Sequence, residues 1–226
     1  VHLAHAQVGA VPFTLEMEIA DVSAGSPQVF ITKTVARRPD GSTAVKQRKN
    51  IGTTLTVTFM DGRKLTLSDL IQSRMSWRVA EWQVAALKQQ LSKPPANCAH
   101  PVQRYKGNQV IAGEAVAVLE HDVGQEDRRR VTSFKAPRLG CETLGYIVEY
   151  VHQDGTVTRV TEGRLIQLTL GEPDPALFNN GAGYTELRPS DFLRAQLGKL
   201  GITGLNPETD PGVQKLDREY QEHGGA

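Results

Sequence analysis

The sequence lacks the features that mark membrane-spanning and nucleic-acid-binding proteins. It has no apolar run approaching 18 residues, so we expect no transmembrane segment. Its 226 residues include 26 Lys and Arg against 25 Asp and Glu. So balanced a charge gives no overall attraction to nucleic acid or to an anionic membrane. We therefore predict no nucleic-acid partner, and the oligomeric state is left open.

The sequence also lacks the motifs of the common enzyme classes. It contains no Gly-x-Ser-x-Gly elbow, no P-loop and no dinucleotide-binding fingerprint. No histidine pairs at ligand spacing within the body of the chain, and His2 and His5 fall in an N-terminal arm. We predict no catalytic residues, no metal and no cofactor, and an enzyme of unrecognised type is kept as a last alternative.

Cysteine is scarce, with only Cys98 and Cys141. Both follow turn-forming residues, so we predict a disulfide between them, against the alternative of two unrelated free thiols. It would close a loop of about 44 residues and stabilise the fold by roughly 4 kcal/mol. The chain begins at Val1, and we expect a removed signal peptide and a secreted or periplasmic location.

Aromatic residues make up only 6% of the sequence. Trp77 and Trp82 flank a change from period-two to helical patterning. They either line an apolar cavity, together with Met75 and Tyr146, or fix a helix to a sheet. These four residues are the candidate ligand contacts.

Most of the sequence shows patterns that are typical of β-strands. The segment Cys141–Leu170 holds two β-rich runs around Asp154-Gly155, which predicts a hairpin with a type I′ turn inside a sheet. Strands are also expected at Pro12–Ala20, Gln28–Ala36, Ser42–Lys49, Thr53–Phe59, Arg63–Leu67, Gln109–His121 with a bulge or kink at Gly113, and Arg128–Ala136. Odd-numbered apolar residues between Leu65 and Val79 indicate a further strand after a break at Asp69–Ser73.

Helical patterning is confined to three segments. Ala80–Ser92 is predicted to form a helix that packs on the sheet through Trp82 and Ala86 and ends at Pro94-Pro95. Ser190 is predicted to cap a helix over Asp191–Leu200. Asp210-Pro211 is predicted to cap a last helix carrying Val213, Leu216 and Tyr220. We expect a flexible arm at residues 1–11, one β-rich domain at 12–202 and a tail at 203–226.

One stretch is locally basic. Lys33–Lys49 carries six cations against a single acid, Asp40. Either it forms a basic ribbon for phosphate, or it is a solvated hairpin or a pair of edge strands protected by charge. The second interpretation is favoured.

The order of strands, helix, cysteine-bearing loop, long hairpins and Pro-rich end resembles the periplasmic lipoprotein-carrier and lipoprotein-localisation superfamily. The segments FKAPRLGCETL, EYVHQDGTVTRV and GEPDPALFNNGAGYTELRPSD resemble secreted bacterial proteins of the same style. The resemblance covers roughly residues 12–193. It implies an α+β, mainly antiparallel fold: a curved, half-open β-barrel-like sheet with one covering helix and short C-terminal helices. Members bind acyl chains or lipoproteins, or sense the state of the envelope. There is no lipobox cysteine near Val1, which argues against a lipid anchor.

Two functions of different class follow. The first is a secreted or periplasmic, non-catalytic binding protein that holds a lipid, a lipoprotein or another apolar ligand between sheet and helix. The second is an interaction or structural protein of the cell envelope with a packed core and no small-molecule ligand. An apolar cavity of at least roughly 300 Å³ near Trp77 and Trp82 would favour the first.

Overall fold

The computed structural model describes residues 10–93, 97–124, 129–179 and 181–223. Most of the expected N-terminal arm, Pro94-Pro95 and the acidic turn before Arg129 lie outside these ranges. Within them the chain forms one twelve-stranded sheet and three α-helices. The strands are Phe13–Asp21 (β1), Gln28–Arg37 (β2), Thr43–Lys49 (β3), Gly52–Thr58 (β4), Arg63–Ser68 (β5), Ser73–Arg78 (β6), Arg104–Ile111 (β7), Glu114–Val123 (β8), Arg129–Ala136 (β9), Glu142–Val151 (β10), Val157–Leu170 (β11) and Thr185–Glu186 (β12). The helices are Glu81–Ser92 (α1), Pro189–Lys199 (α2) and Pro211–His223 (α3).

The sheet consists of two antiparallel meanders that meet at the first strand. Its order is β12-β6-β5-β4-β3-β2-β1-β11-β10-β9-β8-β7. The first meander runs from β1 to β6, α1 follows, and the second runs from β7 back to β11, which pairs with β1. Only β12 is parallel to its neighbour, β6. The sheet is open, with β12 and β7 at its edges, and the predicted mainly antiparallel α+β class is confirmed.

Two turns differ from the sequence prediction. Gln109–His121 is not one kinked strand, because Ala112 and Gly113 both have positive φ, 49° and 81°, and turn β7 into β8. At Asp154-Gly155 only Gly155 has positive φ, so the predicted type I′ turn is wrong. Instead the Gly155 N–H donates to the carbonyl oxygen of His152 at 3.0 Å, and the Asp154 carboxylate accepts the Thr156 N–H. The hairpin forms, but through a longer turn.

The core lies on both faces of the sheet. Val35 and Ala36 are consecutive in β2 and both buried, so their side chains point to opposite faces. Val35 belongs to a cluster with Phe13, Leu15, Met17, Val116, Ala136, Leu139 and Leu144. Ala36 belongs to a second cluster with Ala44, Val57, Leu65, Leu67 and Phe178. Alternation along β2 therefore contributes a residue to each cluster.

The two C-terminal helices, α2 and α3, are joined by a hydrogen bond from a backbone N–H to a side-chain carboxylate. Ser190 does not cap α2, because the helix begins at Pro189 and Ser190 lies buried in its first turn. Its N–H donates to the Asp217 carboxylate of α3 at 3.0 Å. Asp210 does cap α3 as predicted, accepting the N–H groups of Gly212 and Val213 at 2.8 and 3.0 Å.

Arg37 shows that the sheet is strongly curved. Its guanidinium donates to the carbonyl oxygen of Leu139, lies 3.2 Å from the carboxylate of Glu142 and sits 4.9 Å above the ring of Phe13. Strand β2 is three strands away from β10, which would be roughly 14 Å in a flat sheet. An arginine side chain reaches both partners only because this end of the sheet curls. Burial lowers the pKa of Arg37, and the charge of Glu142 partly offsets that shift.

We expect Glu142→Gln to lower the free energy of unfolding by about 2 kcal/mol or more, because it leaves a buried guanidinium without its counter-charge. Glu18→Gln is the matched control, since the Glu18–Arg164 pair is exposed and should contribute less than about 1 kcal/mol. Urea unfolding of both variants checks the difference. Equal losses would contradict the role given to Arg37.

Candidate ligand-binding cleft

Helix α1 lies across one end of the sheet and is seated shallowly. It has the predicted position, but none of its residues is fully buried. Its inner side carries the half-buried Val84, Leu87 and Leu91. The prediction that it packs through Trp82 and Ala86 is wrong, because Trp82 is 71% exposed and Ala86 is also exposed. Both side chains are two residues, or about 200° of helix rotation, away from Val84.

Leu91 holds the C-terminal half of the helix in place. A Cβ atom built on Gly41 would lie 2.8 Å from Leu91 Cδ1, and one built on Gly140 would lie 2.9 Å from Leu91 Cδ2. These glycines belong to the β2–β3 and β9–β10 turns, and both have positive φ. One leucine therefore touches two turns that the sheet order separates by two strands, β1 and β11. Curvature and glycine together make room for it.

A cleft of about 610 Å³ opens beside the N-terminal half of α1. It lies between α1, the β4–β5 turn, the end of β6 and the last turns of α3. Half of its lining is uncharged: Met60, Gly62, Val79, Ala80, Val84 and Ala85. The other half is charged: Asp61, Arg78, Glu81, Lys88, Glu219 and Glu222. The volume falls within the range of small-molecule sites, but the lining is amphipathic.

The lining of the cleft carries four carboxylates and two cations. Burial raises the pKa of Asp61, but hydrogen bonds from the backbone and side chain of Arg63 and the charges of Arg63 and Arg78 outweigh it and lower that pKa. Asp61 therefore stays ionised. A ligand in the cleft meets an apolar helix side and a rim of mixed charge, because two of the four carboxylates, Asp61 and Glu219, are paired with Arg63 and Lys215, which lie outside the lining.

The cysteines are joined close to the other side of the same helix. Cys98 and Cys141 form a disulfide with a Cα–Cα distance of 5.4 Å. Cys98 is buried with Ala117 and Leu119. A shallower cavity of about 420 Å³ lies here, lined by the disulfide and by Ala86, Gln89, Gln90 and Lys93. The disulfide fastens the segment that leaves α1 to the start of β10.

The four candidate ligand contacts are not brought together. Met75 and Trp77 lie on β6, where the Lys64 ammonium is 5.3 Å from the Trp77 ring. Tyr146 lies on β10, seven strands away in the sheet order, and covers Gly163. Trp77, Trp82, Met75 and Tyr146 all lie outside the lining of the cleft, although the segment that joins the two tryptophans forms one wall of it. Their role as ligand contacts stays a prediction.

The lining of the cleft could be predicted only in part from the sequence. Val84, which lines the cleft, is seven residues from Leu91, which does not line it, and that spacing places both on the inner side of α1. The predicted strands Thr53–Phe59 and Arg63–Leu67 imply a turn that contains Asp61-Gly62, but nothing in that segment indicates that α3 would approach it. Among the described residues, no group of three or more His, Cys, Asp or Glu side chains is placed to hold a metal ion. No helix in the described ranges has the length and apolarity needed to cross a bilayer.

Comparison with known proteins gives a likeness of fold. No protein-family model matches the sequence, and no curated protein is significantly similar to it. An uncharacterized conserved protein from Thermus thermophilus aligns over 79% of this chain and 90% of its own, at 9% identity and a TM-score of 0.47. MucB of Pseudomonas aeruginosa, solved in complex with MucA, aligns over 80% of this chain at 15% identity and a TM-score of 0.44, and the chain spans 59% of that protein. A LolA superfamily protein from Nitrosomonas europaea aligns over 76% of this chain and 92% of its own, at 10% identity and a TM-score of 0.31. Each of these alignments describes a likeness of fold alone.

The seating of α1 predicts unequal effects of two substitutions. Trp82→Ala should change the free energy of unfolding by less than about 0.5 kcal/mol, because the side chain is exposed. Leu91→Ala should cost about 2 kcal/mol or more, because it empties the space between Gly41 and Gly140. Thermal unfolding of both variants measures this. A larger loss for Trp82→Ala would show that α1 is docked by its other side.

Loss of the disulfide should loosen α1 without unfolding the sheet. We expect Cys98→Ser/Cys141→Ser to lose up to about 4 kcal/mol and to exchange the α1 amides faster, with β1 still protected. Hydrogen exchange by mass spectrometry reports both regions. Alkylation of unreduced protein is the companion measurement, and two alkylated thiols in protein from an oxidising compartment would refute the bridge.

Proposed function

We propose that the protein is a secreted or periplasmic, non-catalytic binding protein that holds an amphipathic lipid in the cleft between α1 and the end of the sheet. The observation that carries this proposal is the cleft itself, with about 610 Å³ of space under a helix that buries none of its residues. A helix held so loosely can move aside to admit a ligand. The disulfide supports the location, because such bonds persist in oxidising compartments.

The residues that line the cleft limit the chemical class of ligand that it could bind. Val79, Val84 and Ala85 offer apolar contact for an acyl chain, and the charged rim surrounds the place for a headgroup. Because both signs of charge surround the cleft and four of the six charged residues of its lining are carboxylates, a zwitterionic headgroup suits it better than the carboxylate of a free fatty acid. The ligand proposed is therefore a lysophospholipid-like molecule with a choline or amine group.

Titration of a fluorescent lysophosphatidylcholine, followed by anisotropy, tests the proposal. Ala85→Trp places an indole in the cleft and should weaken binding at least about tenfold, by the volume it occupies. Ala86→Trp is the matched control, because Ala86 is the next residue, is also exposed and lies outside the lining of the cleft. A fluorescent fatty acid should bind more weakly than the zwitterionic probe. Equal binding by both variants would refute the site.

A second candidate is an interaction protein of the envelope with a packed core and no small ligand. The buried core favours it, since Phe13, Leu15, Leu139 and Leu144 are all fully buried in one cluster. A flat titration with both probes would select this function over the first.

A further inference from the structure

The basic stretch of the sequence is not explained by its place in the fold. Strands β2 and β3 lie inside the sheet, between β1 and β4, so their cations do not protect an exposed edge. Four of them, Lys33, Lys46, Arg48 and Lys49, lie along the part of these strands that is remote from α1. We call the region formed by these four cations and by Val29, Phe30 and Ile51 the cationic end.

The register leaves these cations without counter-charges. Across the sheet, each lies opposite uncharged residues on both neighbouring strands. Lys33 faces Met17 and Gln47, Lys46 faces Thr34 and Leu55, Arg48 faces Thr32 and Thr53, and Lys49 faces Ile31 and Gly52. In the described part of the chain, none of the four has an acidic group within ion-pair distance, whereas Arg37, Arg63, Arg74, Arg104, Arg138 and Arg164 all have one. The positive charge here is not cancelled across strands as it is elsewhere.

Apolar side chains project beside these cations. Val29, Phe30 and Ile51 are 47%, 42% and 52% exposed. Phe30 is the extra residue of a β-bulge, because Val29 and Ile31 pair with the consecutive Ala20 and Ile19. A bulge redirects its side chain away from the regular face. Ile51 stands in the two-residue turn between β3 and β4, next to Lys49.

The distribution of charge favours a planar partner. Side chains alternate between faces along a strand, so Lys46 and Arg48 point to one face and Lys49 to the other. The whole end of the sheet is therefore cationic, and not one face that a folded partner would cover. Cations around exposed aliphatic and aromatic residues are the combination that binds an anionic lipid interface, where the cations meet headgroups and the apolar side chains enter the acyl boundary.

We propose that the cationic end docks on a membrane surface that carries anionic headgroups. The described carboxylates near this end form no ion pair with the four cations. Asp21 and Asp69 accept hydrogen bonds from Ser23 and Tyr184. Glu16 and Glu18 lie two strands away from Lys46 and Arg48, and Glu18 pairs with Arg164. The remaining charge attracts the anionic surface, and Phe30 and Ile51 anchor the protein there. This proposal does not depend on the cleft, which lies at the opposite end of the same strands.

Co-sedimentation of the full, disulfide-intact chain with vesicles tests it. We expect binding to vesicles of equal parts phosphatidylcholine and phosphatidylglycerol, and little binding to phosphatidylcholine alone. Lys46→Gln/Arg48→Gln/Lys49→Gln should weaken the partition on the order of 100-fold, because each cation near an anionic surface contributes a factor of about five. Ile51→Ser should weaken it several-fold at unchanged charge. Added salt should reverse the binding.

The matched control removes three exposed cations elsewhere, Lys93→Gln/Lys199→Gln/Arg218→Gln, and should bind as wild type does. An equal loss in this control would assign binding to overall charge and overturn the proposal. Equal binding to both kinds of vesicle would also overturn it. Binding to soluble polyglutamate without binding to mixed vesicles would replace the membrane by an acidic protein partner. Each variant's melting temperature separates a binding loss from unfolding.

Discussion

The contact of Arg37 with Leu139 and Glu142 is the constraint on which one end of this molecule depends. Burying a guanidinium costs free energy unless its charge is balanced and its N–H groups are hydrogen-bonded. Here a carbonyl oxygen and a carboxylate accept hydrogen bonds from Arg37, and an aromatic ring lies against it. The carbonyl oxygen and the carboxylate belong to a turn and a strand of the other meander. Arg37 can reach these partners only if the sheet curls. The same curl brings the turns at Gly41 and Gly140 close enough for Leu91 to touch both.

The position of α1 follows from that curl. Leu91 fills the gap between the two turns, and the disulfide fastens the segment that follows the helix. The N-terminal half, by contrast, makes few buried contacts and leaves the cleft beside Val84. A helix anchored at one end and loose at the other is suited to admitting a ligand, and this asymmetry connects the packing of the fold to the function proposed for it.

The two proposed surfaces lie at opposite ends of the same strands. Turns of an antiparallel meander alternate between its ends, so the β4–β5 turn borders the cleft while the β3–β4 turn carries Ile51 at the cationic end. A strand of seven residues separates them by roughly 23 Å. The two ends also differ in charge: acids and bases both surround the cleft, whereas the bases at the other end have no acid partners among the described residues. Ligand binding and membrane contact would therefore not compete for the same residues.

The sequence by itself determined the local elements. Alternation predicted the strands of the first meander, a change of period predicted α1, Asp210 predicted its cap, and the two loop cysteines predicted their pairing. It did not predict the turn at Ala112-Gly113, because alanine gives no signal of positive φ, nor the inner side of α1, because apolar residues occur on both its sides. Only the tertiary structure decided which turns meet, which side of α1 is covered and that α3 borders the cleft. The physical reason is that periodicity and capping are encoded within a few residues, whereas the pairing of β1 with β11 and the reach of Arg37 depend on groups more than one hundred residues apart.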